Sequence, residues 1–521
     1  MARLDIIGGG PAGAFTARLA ALRYPDWKIR LFEHLPPHDT FGFGVGLTRA
    51  LLKAVDDADP TIHRRLRAAT FPFSSAEFHL PQGTVNFGRS HTGAIRRAEL
   101  LRILLEGAEE AGAEVRIGAP AHVDDLRGNA DIVVGADGLS SSTRSRFLPQ
   151  FNASTTMGRG VFIWCAADIE LSGSVFEPVE TPAGIFVAHA YPYAQGLSTF
   201  VIETSSETIR RAGFTDHEWK SDDESDDRAL EYLSDAYSTM LKGAHFFGNR
   251  SRWSHFTTLK CQNWSYQNVV LLGDAAATVH PSLGSGTKVA LESAIALVES
   301  LAALETRPPG RVLQEFVRTR RPSVARLQER AMRSQLWWES FPARKDLSPS
   351  RIALAYLSRS GVVSLDGLAA SDLELAVQAT ADFANVPAAA VPVRELSQWV
   401  LHHAFSNHKL KLPTRVLPPA DGSASNGTVM TIDVANGDAW GPDGDDYVQR
   451  AKEHARSGAH IVALTGGTGR SDLMDRLAVA ERIRSETDCA VAIRARADQQ
   501  DLVADGIVAD RADLLELDVS S

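Results

Sequence analysis

Residues 5–13 of the chain read Asp5-Ile-Ile-Gly-Gly-Gly-Pro-Ala-Gly13, and this stretch decides the fold. A short apolar strand runs into three glycines in G-x-G-x-x-G order, Gly8, Gly10 and Gly13, and an Ala/Leu-rich helix follows at once. Each glycine has a physical reason in that context: Gly8 for a tight turn, Gly10 for close approach of a pyrophosphate, Gly13 for packing of helix on strand. Pro11 and Ala12 open the helix, where free N–H groups and the helix dipole attract phosphate. A second strand, Lys28-Ile-Arg-Leu-Phe-Glu33, ends in a carboxylate twenty residues beyond Gly13, where an acid can accept hydrogen bonds from a ribose. The glycine spacing alone marks no more than a turn; strand, helix and acid together make it an adenine-dinucleotide site.

The rest of the composition bounds the function. A length of 521 residues calls for more than a lone nucleotide module, and 44% hydrophobic with 23% charged residues is ordinary for a globular protein. A formal charge of -10 argues against a nucleic-acid or membrane-surface partner, since both favour a basic face. Cys165, Cys261 and Cys489 are too few and too far apart for a disulfide framework, and they show no metal-ligand spacing. The start of the chain reads as a strand rather than a signal peptide, and no apolar run reaches the ~18 residues of a membrane span. A soluble, cytoplasmic protein is expected.

Along the chain, Thr92 to Leu105 carries leucines and isoleucines at helical spacing, and Asp131-Ile-Val-Val-Gly-Ala-Asp-Gly138 is extended. Val161 to Cys165, Gly184 to Ala188 and Leu197 to Ile202 predict an antiparallel sheet walling a pocket beside the nucleotide domain. The acidic stretch Thr215 to Asp227 reads as a solvated loop or helix start. Asn268-Val-Val-Leu-Leu-Gly-Asp274 predicts a buried strand, followed by a glycine-bearing loop, a helix Thr287 to Leu304 and a long arginine-rich helix from about Arg311 to Phe341. Pro413, Pro418, Pro419, Gly422 and Gly427 mark a linker. The last segment alternates strand and helix, the rhythm of a parallel sheet or part of a barrel. The expected division is therefore 1–150 and 266–342 for the nucleotide domain, 151–265 for a substrate sheet, 343–390 for a helical connector and 391–521 for a small βα domain. The fold class is α/β.

Two later motifs specify the dinucleotide. Asp137-Gly138, with Ser141 and Arg144 beyond, and Gly273-Asp274, with Pro281, Gly284, Ser285, Gly286 and Thr287 beyond, resemble the fingerprints of the single-component FAD aromatic hydroxylases, which have the p-hydroxybenzoate hydroxylase fold. That resemblance implies that Asp274 holds the ribityl chain, that the loop 281–286 brings N–H groups near the flavin pyrimidine, and that Arg97 reaches the FAD. Read without it, Asp274 is equally a helix cap and Asp137 a turn residue. The run Gly284-Ser-Gly-Thr-Lys288, together with Thr40-Phe-Gly-Phe-Gly-Val45 and Ser334-Gln-Leu-Trp-Trp-Glu339, resembles the salicylyl-CoA 5-hydroxylase and 2-aminobenzoyl-CoA monooxygenase branch. Ala277 and Pro281 depart from that branch, which usually has histidine and phenylalanine there.

The resemblance implies oxygen transfer to an electron-rich ring, with FAD as cofactor, NADH or NADPH as co-substrate and O2 as oxidant. The implied substrate is a salicylyl or anthraniloyl thioester on CoA or a carrier protein, hydroxylated para to its OH or NH2. A free aromatic acid or phenol is the alternative substrate, and a non-catalytic flavoprotein with a C-terminal docking module is the alternative class. No Trp-x-Trp-x-Ile-Pro segment supports halogenation. Candidate ring-contacting residues are Phe41, Phe43, His189, Tyr191, His280 and Pro281, although aromatics in strands usually pack in cores and lone histidines usually make structural hydrogen bonds. Arg250, Arg252, Arg318, Arg320 and Arg321 are available for a substrate phosphate, or equally form a solvated face; Lys288 reads as a structural pair. The C-terminal segment resembles the last βα units of an old-yellow-enzyme barrel, degenerate and without FMN. A homodimer is compatible with these features.

Overall fold

The structure, a computed structural model, describes residues 2–36, 40–215, 224–417, 429–435 and 438–518, the side chains of 89–92 excepted. The acidic residues 216–223, the linker residues Pro418, Pro419, Gly422 and Gly427, and Thr428 lie outside the described residues. The chain divides into two compact units: Met1–His79 with Arg89–Gln335, and Leu80–Gly88 with Leu336–Ser521. The nucleotide segments and the substrate sheet expected as separate pieces thus share one unit. The helices expected as a connector share the other with the C-terminal strands.

The first strands in the chain are β1 (Arg3–Ile7), β2 (Lys28–Glu33), β3 (Gly44–Leu47), β4 (Phe71–Leu80), β5 (Gly83–Arg96), β6 (Glu114–Ile117) and β7 (Ile132–Gly135), all in the first unit but for residues 80–88 of β4 and β5. They continue with β8 (Ala153–Ala167), β9 (Ser174–Thr181), β10 (Gly184–Ala194), β11 (Leu197–Ser205), β12 (Phe246–Gly248), β13 (Ser254–Cys261), β14 (Ser265–Tyr266) and β15 (Val269–Leu271). One sheet runs in the order β14-β15-β7-β1-β2-β6, parallel except for the β14–β15 pair. Its central strands are apolar on both faces, with Leu4, Ile6, Val133, Val134, Val269, Val270 and Leu271 fully buried, as a sheet covered by helices on both sides requires. Asp5 is buried in β1 and receives both Arg30 Nε and Nη2 from the neighbouring strand, at 2.8 and 2.7 Å.

The second sheet has nine strands in the order β12-β8-β11-β10-β9-β4-β5-β3, with β13 also on β8. The three strands read from the sequence are its centre; β9 and the long β4–β5 ribbon, rich in polar and charged residues, were not legible as strands. One face of β10 and β11 buries Phe186, Ala188, Phe200 and Ile202 with Leu230, Leu233 and Tyr237 of the following helices. The helix expected from Thr92 begins only at Arg97 and runs to Glu110. Residues 93–96 are instead strand, because Ile95, Ala94 and Gly93 pair with Val45, Gly46 and Leu47 of β3, and an added Cβ on Gly93 would meet Thr70 at 2.3 Å.

In the second unit, β16 (Phe405–Ser406) and β17 (Lys411–Leu412) form a small ribbon. A parallel sheet is then built from β18 (Val416–Leu417), β19 (Val429–Val434), β20 (Ile461–Gly466), β21 (Ala490–Ala495) and β22 (Leu514–Leu517), in the order β18-β22-β21-β20-β19. Consecutive strands β19 to β22 are neighbours, joined by the helices Pro442–Arg456, Arg470–Glu486 and Gln500–Val508, the arrangement of successive barrel units. The last of these helices escaped the sequence reading, since Gly506 interrupts a short pattern; a parallel β21–β22 pair requires a crossover there. The helices Pro349–Ser358, Leu365–Ser371, Leu373–Ala384 and Leu396–His402 pack in the same unit, and the Phe87 ring meets Tyr356 at 5.2 Å.

The three cysteines are free and buried. Among the described residues no helix is long and apolar enough to cross a membrane.

Candidate active site

Three sequence motifs meet at the C-terminal ends of β1, β7 and β15, where Ile7 pairs with Gly135 and Gly135 with Leu271. That edge of a parallel sheet is where open α/β folds bind ligands. Gly8 has φ of +103°, and a Cβ there would stand 2.3 Å from the Ala136 carbonyl oxygen; a Cβ on Gly13 would stand 1.9 Å from that of Gly8. At Gly10, by contrast, a Cβ would meet nothing within 4 Å, so this backbone faces open space. The helix Pro11–Arg23 begins there with Pro11 at its first position and no side-chain cap, which leaves its N–H groups for a ligand. The close approach the sequence reading did not anticipate is at Gly9, whose N–H donates to Glu33 Oε2 at 2.5 Å. Glu33 therefore stands beside the glycine turn, where an adenosine ribose would lie.

The second and third motifs are tied to each other and to the first. The Asp137 carboxylate accepts from Ser141 Oγ, Ser142 Oγ and the Thr143 N–H, which makes it the cap of the turn after β7, while Gly138 faces open space. Arg144 is buried and donates to the carbonyls of Ala275, at 3.0 Å, and Leu139. It acts as a strut between motifs rather than presenting a free guanidinium. Gly273 has φ of +60°, and a Cβ there would come within 3.0 Å of Ala12, so Asp274 is brought beside the first helix.

Asp274 keeps an open face to solvent although protein surrounds it on its other sides. That enclosure pushes its carboxyl above the usual range, and the Arg97 guanidinium pulls it back. Burial likewise lowers Arg97 from its ordinary value, with Asp274 opposing. Two opposite charges in each other's field, one of them open to solvent, suit a polar ligand beside them. Past Asp274, Pro281–Leu283 forms one 3-10 turn, Gly284 has φ of +60°, and the helix Gly286–Ser300 begins. At both Gly284 and Gly286 a Cβ would meet nothing within 4 Å, so the helix start, with Thr287 in its first turn, is open to a ligand. Ser285 is buried and donates its Oγ to the Leu283 carbonyl at 3.1 Å. The residues present fit an adenine-dinucleotide flavin: two open glycine backbones at helix starts, a ribose acid, and a carboxylate–guanidinium pair.

The six candidate ring-contacting residues separate. Phe41 and Pro281 are exposed; the Phe41 ring lies under the Arg97 guanidinium at 4.3 Å and meets Trp164 edge-on at 6.4 Å. Phe43 is core, packed edge-on against Phe247 at 5.6 Å. Tyr191 donates its hydroxyl to the Gly44 carbonyl at 3.0 Å, and burial pushes its phenol up. His189 is buried against Phe176 with Glu203 3.6 Å away, and His280 packs on Phe256 and bonds Ser282 Oγ at 2.8 Å. Lys288 pairs with Glu292 at 2.5 Å, as expected of a structural lysine. Of the arginines offered for phosphate, Arg318 pairs with Glu315, Arg320 with Glu292, and Arg252 donates to the Glu224 carbonyl.

Two residues that the sequence did not single out shape the loop 40–44. Gly42, with φ of +78°, lies so close to Trp164 that a Cβ would stand 2.4 Å from the indole, and Asn249 Nδ2 donates to the Thr40 and Gly42 carbonyls at 3.2 and 3.1 Å. Trp164 is fixed in turn by its Nε1–H on Thr199 Oγ1 at 2.6 Å. Nothing in the local sequence distinguishes this tryptophan from a core strand residue.

Comparison with known proteins decides the family. The FAD binding domain family matches residues 73–331. The chain is 32% identical over 540 residues to a salicyloyl-CoA 5-hydroxylase from Streptomyces sp, an alignment covering 98% of this chain and 99% of that protein. The chain belongs to the FAD-dependent aromatic monooxygenases. A second member, a 3-hydroxy-4-methyl-anthranilyl-[aryl-carrier protein] 5-monooxygenase from Streptosporangium sibiricum, is 34% identical over 70% of this chain and 97% of its own. Among solved structures, the tetrameric form of 2-methyl-3-hydroxypyridine-5-carboxylic acid oxygenase superposes with a TM-score of 0.52 at 19% identity, covering 69% of this chain and 96% of its own. Pseudomonas-type PqsL of P. aeruginosa, in complex with 2-aminobenzoylacetate, gives 0.51 at 19% identity over 65% of this chain and 97% of its own. Both likenesses establish the fold of the monooxygenase unit. As a member of this family the enzyme uses FAD with NAD(P)H as co-substrate.

Proposed function

We propose that this monooxygenase hydroxylates an aryl thioester of coenzyme A, of the salicylyl or anthraniloyl type, at the ring carbon para to the OH or NH2. One observation supports CoA over a carrier protein. The alignment to the salicyloyl-CoA 5-hydroxylase takes in the C-terminal unit, whereas the carrier-protein enzyme is matched almost in full by 70% of this chain. Position 5 of that relative's ring is para to its 2-substituent, where an OH or NH2 concentrates electron density.

Bound FAD, reduced by NAD(P)H, supplies electrophilic oxygen derived from O2. The chain's own residues supply placement. The glycine turns at Gly10 and Gly284–Gly286 and the acids Glu33 and Asp274 would hold the cofactor, with Arg97 opposite Asp274. Phe41, exposed on the Arg97 guanidinium, offers an apolar face to an aromatic ring, while Trp164 and Asn249 fix the loop that carries it. Phe43, Tyr193 and their neighbours Phe73, Trp164, Tyr191 and Phe247 form a dry cluster behind that loop, which helps exclude water from a reactive oxygen donor. Arg144 and the Asp137 cap hold the second and third motifs in register.

The experiment is to supply the FAD-loaded enzyme with NADH or NADPH, O2, and salicylate or anthranilate as free acid, CoA thioester and carrier thioester. A gain of one oxygen on the CoA thioester, para to the donor, is expected. Turnover restricted to free acids, or to carrier thioesters, would overturn the proposal.

A further inference from the structure

The C-terminal unit contains a cavity of about 400 Å3 at the N-terminal ends of β18, β21 and β22. Three guanidinium groups line it, from Arg351, Arg415 and Arg484, with Phe383 and Phe405 beside them. Two of the arginines are fully engaged. Arg484 holds Asp513 at 2.9 Å and Asp510 at 3.2 Å, and Arg351 holds Asp510 at 3.2 Å and the Val508 carbonyl at 2.8 Å. Asp513 Oδ2, the same oxygen that takes Arg484 Nε, also accepts the Val491 N–H at 2.9 Å. Asp488, on the rim, is answered by Lys409 at 4.0 Å.

Arg415 is different. Its Nη1 donates to the Asp513 backbone carbonyl at 2.9 Å, and its guanidinium carbon lies 4.6 Å from the Phe383 ring centre and 5.2 Å from that of Phe405. Its Nε is buried without a hydrogen-bond partner, and among the described residues no carboxylate lies within 4.0 Å of it. A half-buried cation between two aromatic rings, opposed by Asp513 and Asp510 only at longer range, leaves hydrogen-bonding capacity that an anion in direct contact would use. Side chains able to share such an anion, Asn407, Ser406 and Thr487, stand on the same wall.

We infer that this cavity binds a phosphate group, a phosphomonoester or the free ion, with Arg415 as its principal contact. A tetrahedral dianion matches the planar donor fork of arginine, and the volume leaves room for an organic body attached to it. Burial lowers Arg415 to about 10, opposed by Asp513 and more weakly by Asp510, with Arg484 and Arg351 adding to the lowering, and burial with Arg415 nearby lowers His403. The cavity is lined by second-unit residues alone, and the inference holds whichever ring is hydroxylated.

Titration calorimetry on the full-length, FAD-loaded enzyme in a phosphate- and sulfate-free buffer tests it, with inorganic phosphate as probe. One saturable site per chain is expected, weakened at least about tenfold in Arg415→Met. Arg415→Lys keeps the charge but not the fork, so it should weaken binding by about threefold or more; it carries the test if the methionine variant does not fold. No saturable binding, or affinity unchanged in these variants, overturns the inference. Competition by coenzyme A but not by dephospho-coenzyme A would identify a 3′-phosphate as the bound group, and competition by neither would identify the free ion. Hydroxylation of thioesters is measured separately, so loss of one result does not mimic loss of the other.

Discussion

The Arg97 guanidinium lies 4.3 Å from the centre of the exposed Phe41 ring, and the Arg97 backbone N–H donates to the Phe43 carbonyl at 2.8 Å. One residue thus fixes the loop by its backbone and covers it by its side chain, while its charge faces Asp274. Because Phe41 is exposed beside Arg97, Phe41→Ala should leave FAD affinity within about twofold but, on the proposed function, release a ring-positioning contact. We expect the fraction of NAD(P)H oxidation recovered as hydroxylated product to fall by half or more. Parallel measurement of NAD(P)H, O2 and product checks this, and full coupling in the variant would contradict it.

Asp274→Ala and Arg97→Met should each raise the FAD dissociation constant about tenfold or more, equivalent to about 1.4 kcal/mol. Their effects should be less than additive in the double variant, since each group acts in the other's field. Flavin release measured by fluorescence for the three proteins decides the point.

Gly42→Ala places a Cβ in the Trp164 indole at a positive φ. The expected cost is about 1–3 kcal/mol of stability, with the loop displaced. Trp164→Leu in the same chain should recover the steric part but not the conformational part, which thermal denaturation of the four proteins of the cycle would separate.

Asp505 is buried in the helix Gln500–Val508, and that burial pushes its carboxyl up to about 7 against partial compensation by Ser358 and Arg511. A carboxyl raised on folding costs stability above its folded value, and the cost fades as pH falls through about 7 towards the ordinary 3.8. Asp505→Asn should therefore raise the melting temperature by about 2–4 °C for each kcal/mol relieved at pH 8, and by progressively less towards pH 5. An unchanged Tm at pH 8, or a gain that grows on acidification, would be inconsistent with this origin.

The nucleotide half of the fold was legible because its residues act locally. Gly8 and Gly13 are needed by the turn in which they sit, Glu33 ends the strand that carries it, and the Asp137 cap bonds groups four to six residues ahead. Phe43, His189 and His280 carried the same residue-type signal as Phe41, yet the structure spends them on Phe247, Phe176 and Phe256. Trp164 and Asn249 reach the loop 40–44 across more than a hundred residues, a relation with no trace in local spacing.

By itself, then, the sequence determined an adenine-dinucleotide fold, the order of its three motifs and the parallel character of the C-terminal strands, since glycine geometry, strand apolarity and helix periodicity are properties of neighbouring residues; FAD followed from the resemblance that the later motifs carry. Only the tertiary structure decided that residues 93–96 are strand and that Phe41 is exposed while Phe43 is buried. The same holds for Arg415, one of three cavity arginines, whose guanidinium donates to a backbone carbonyl. Each of those outcomes depends on pairing, burial or charge contributed by distant segments, and these exist only once the chain has folded.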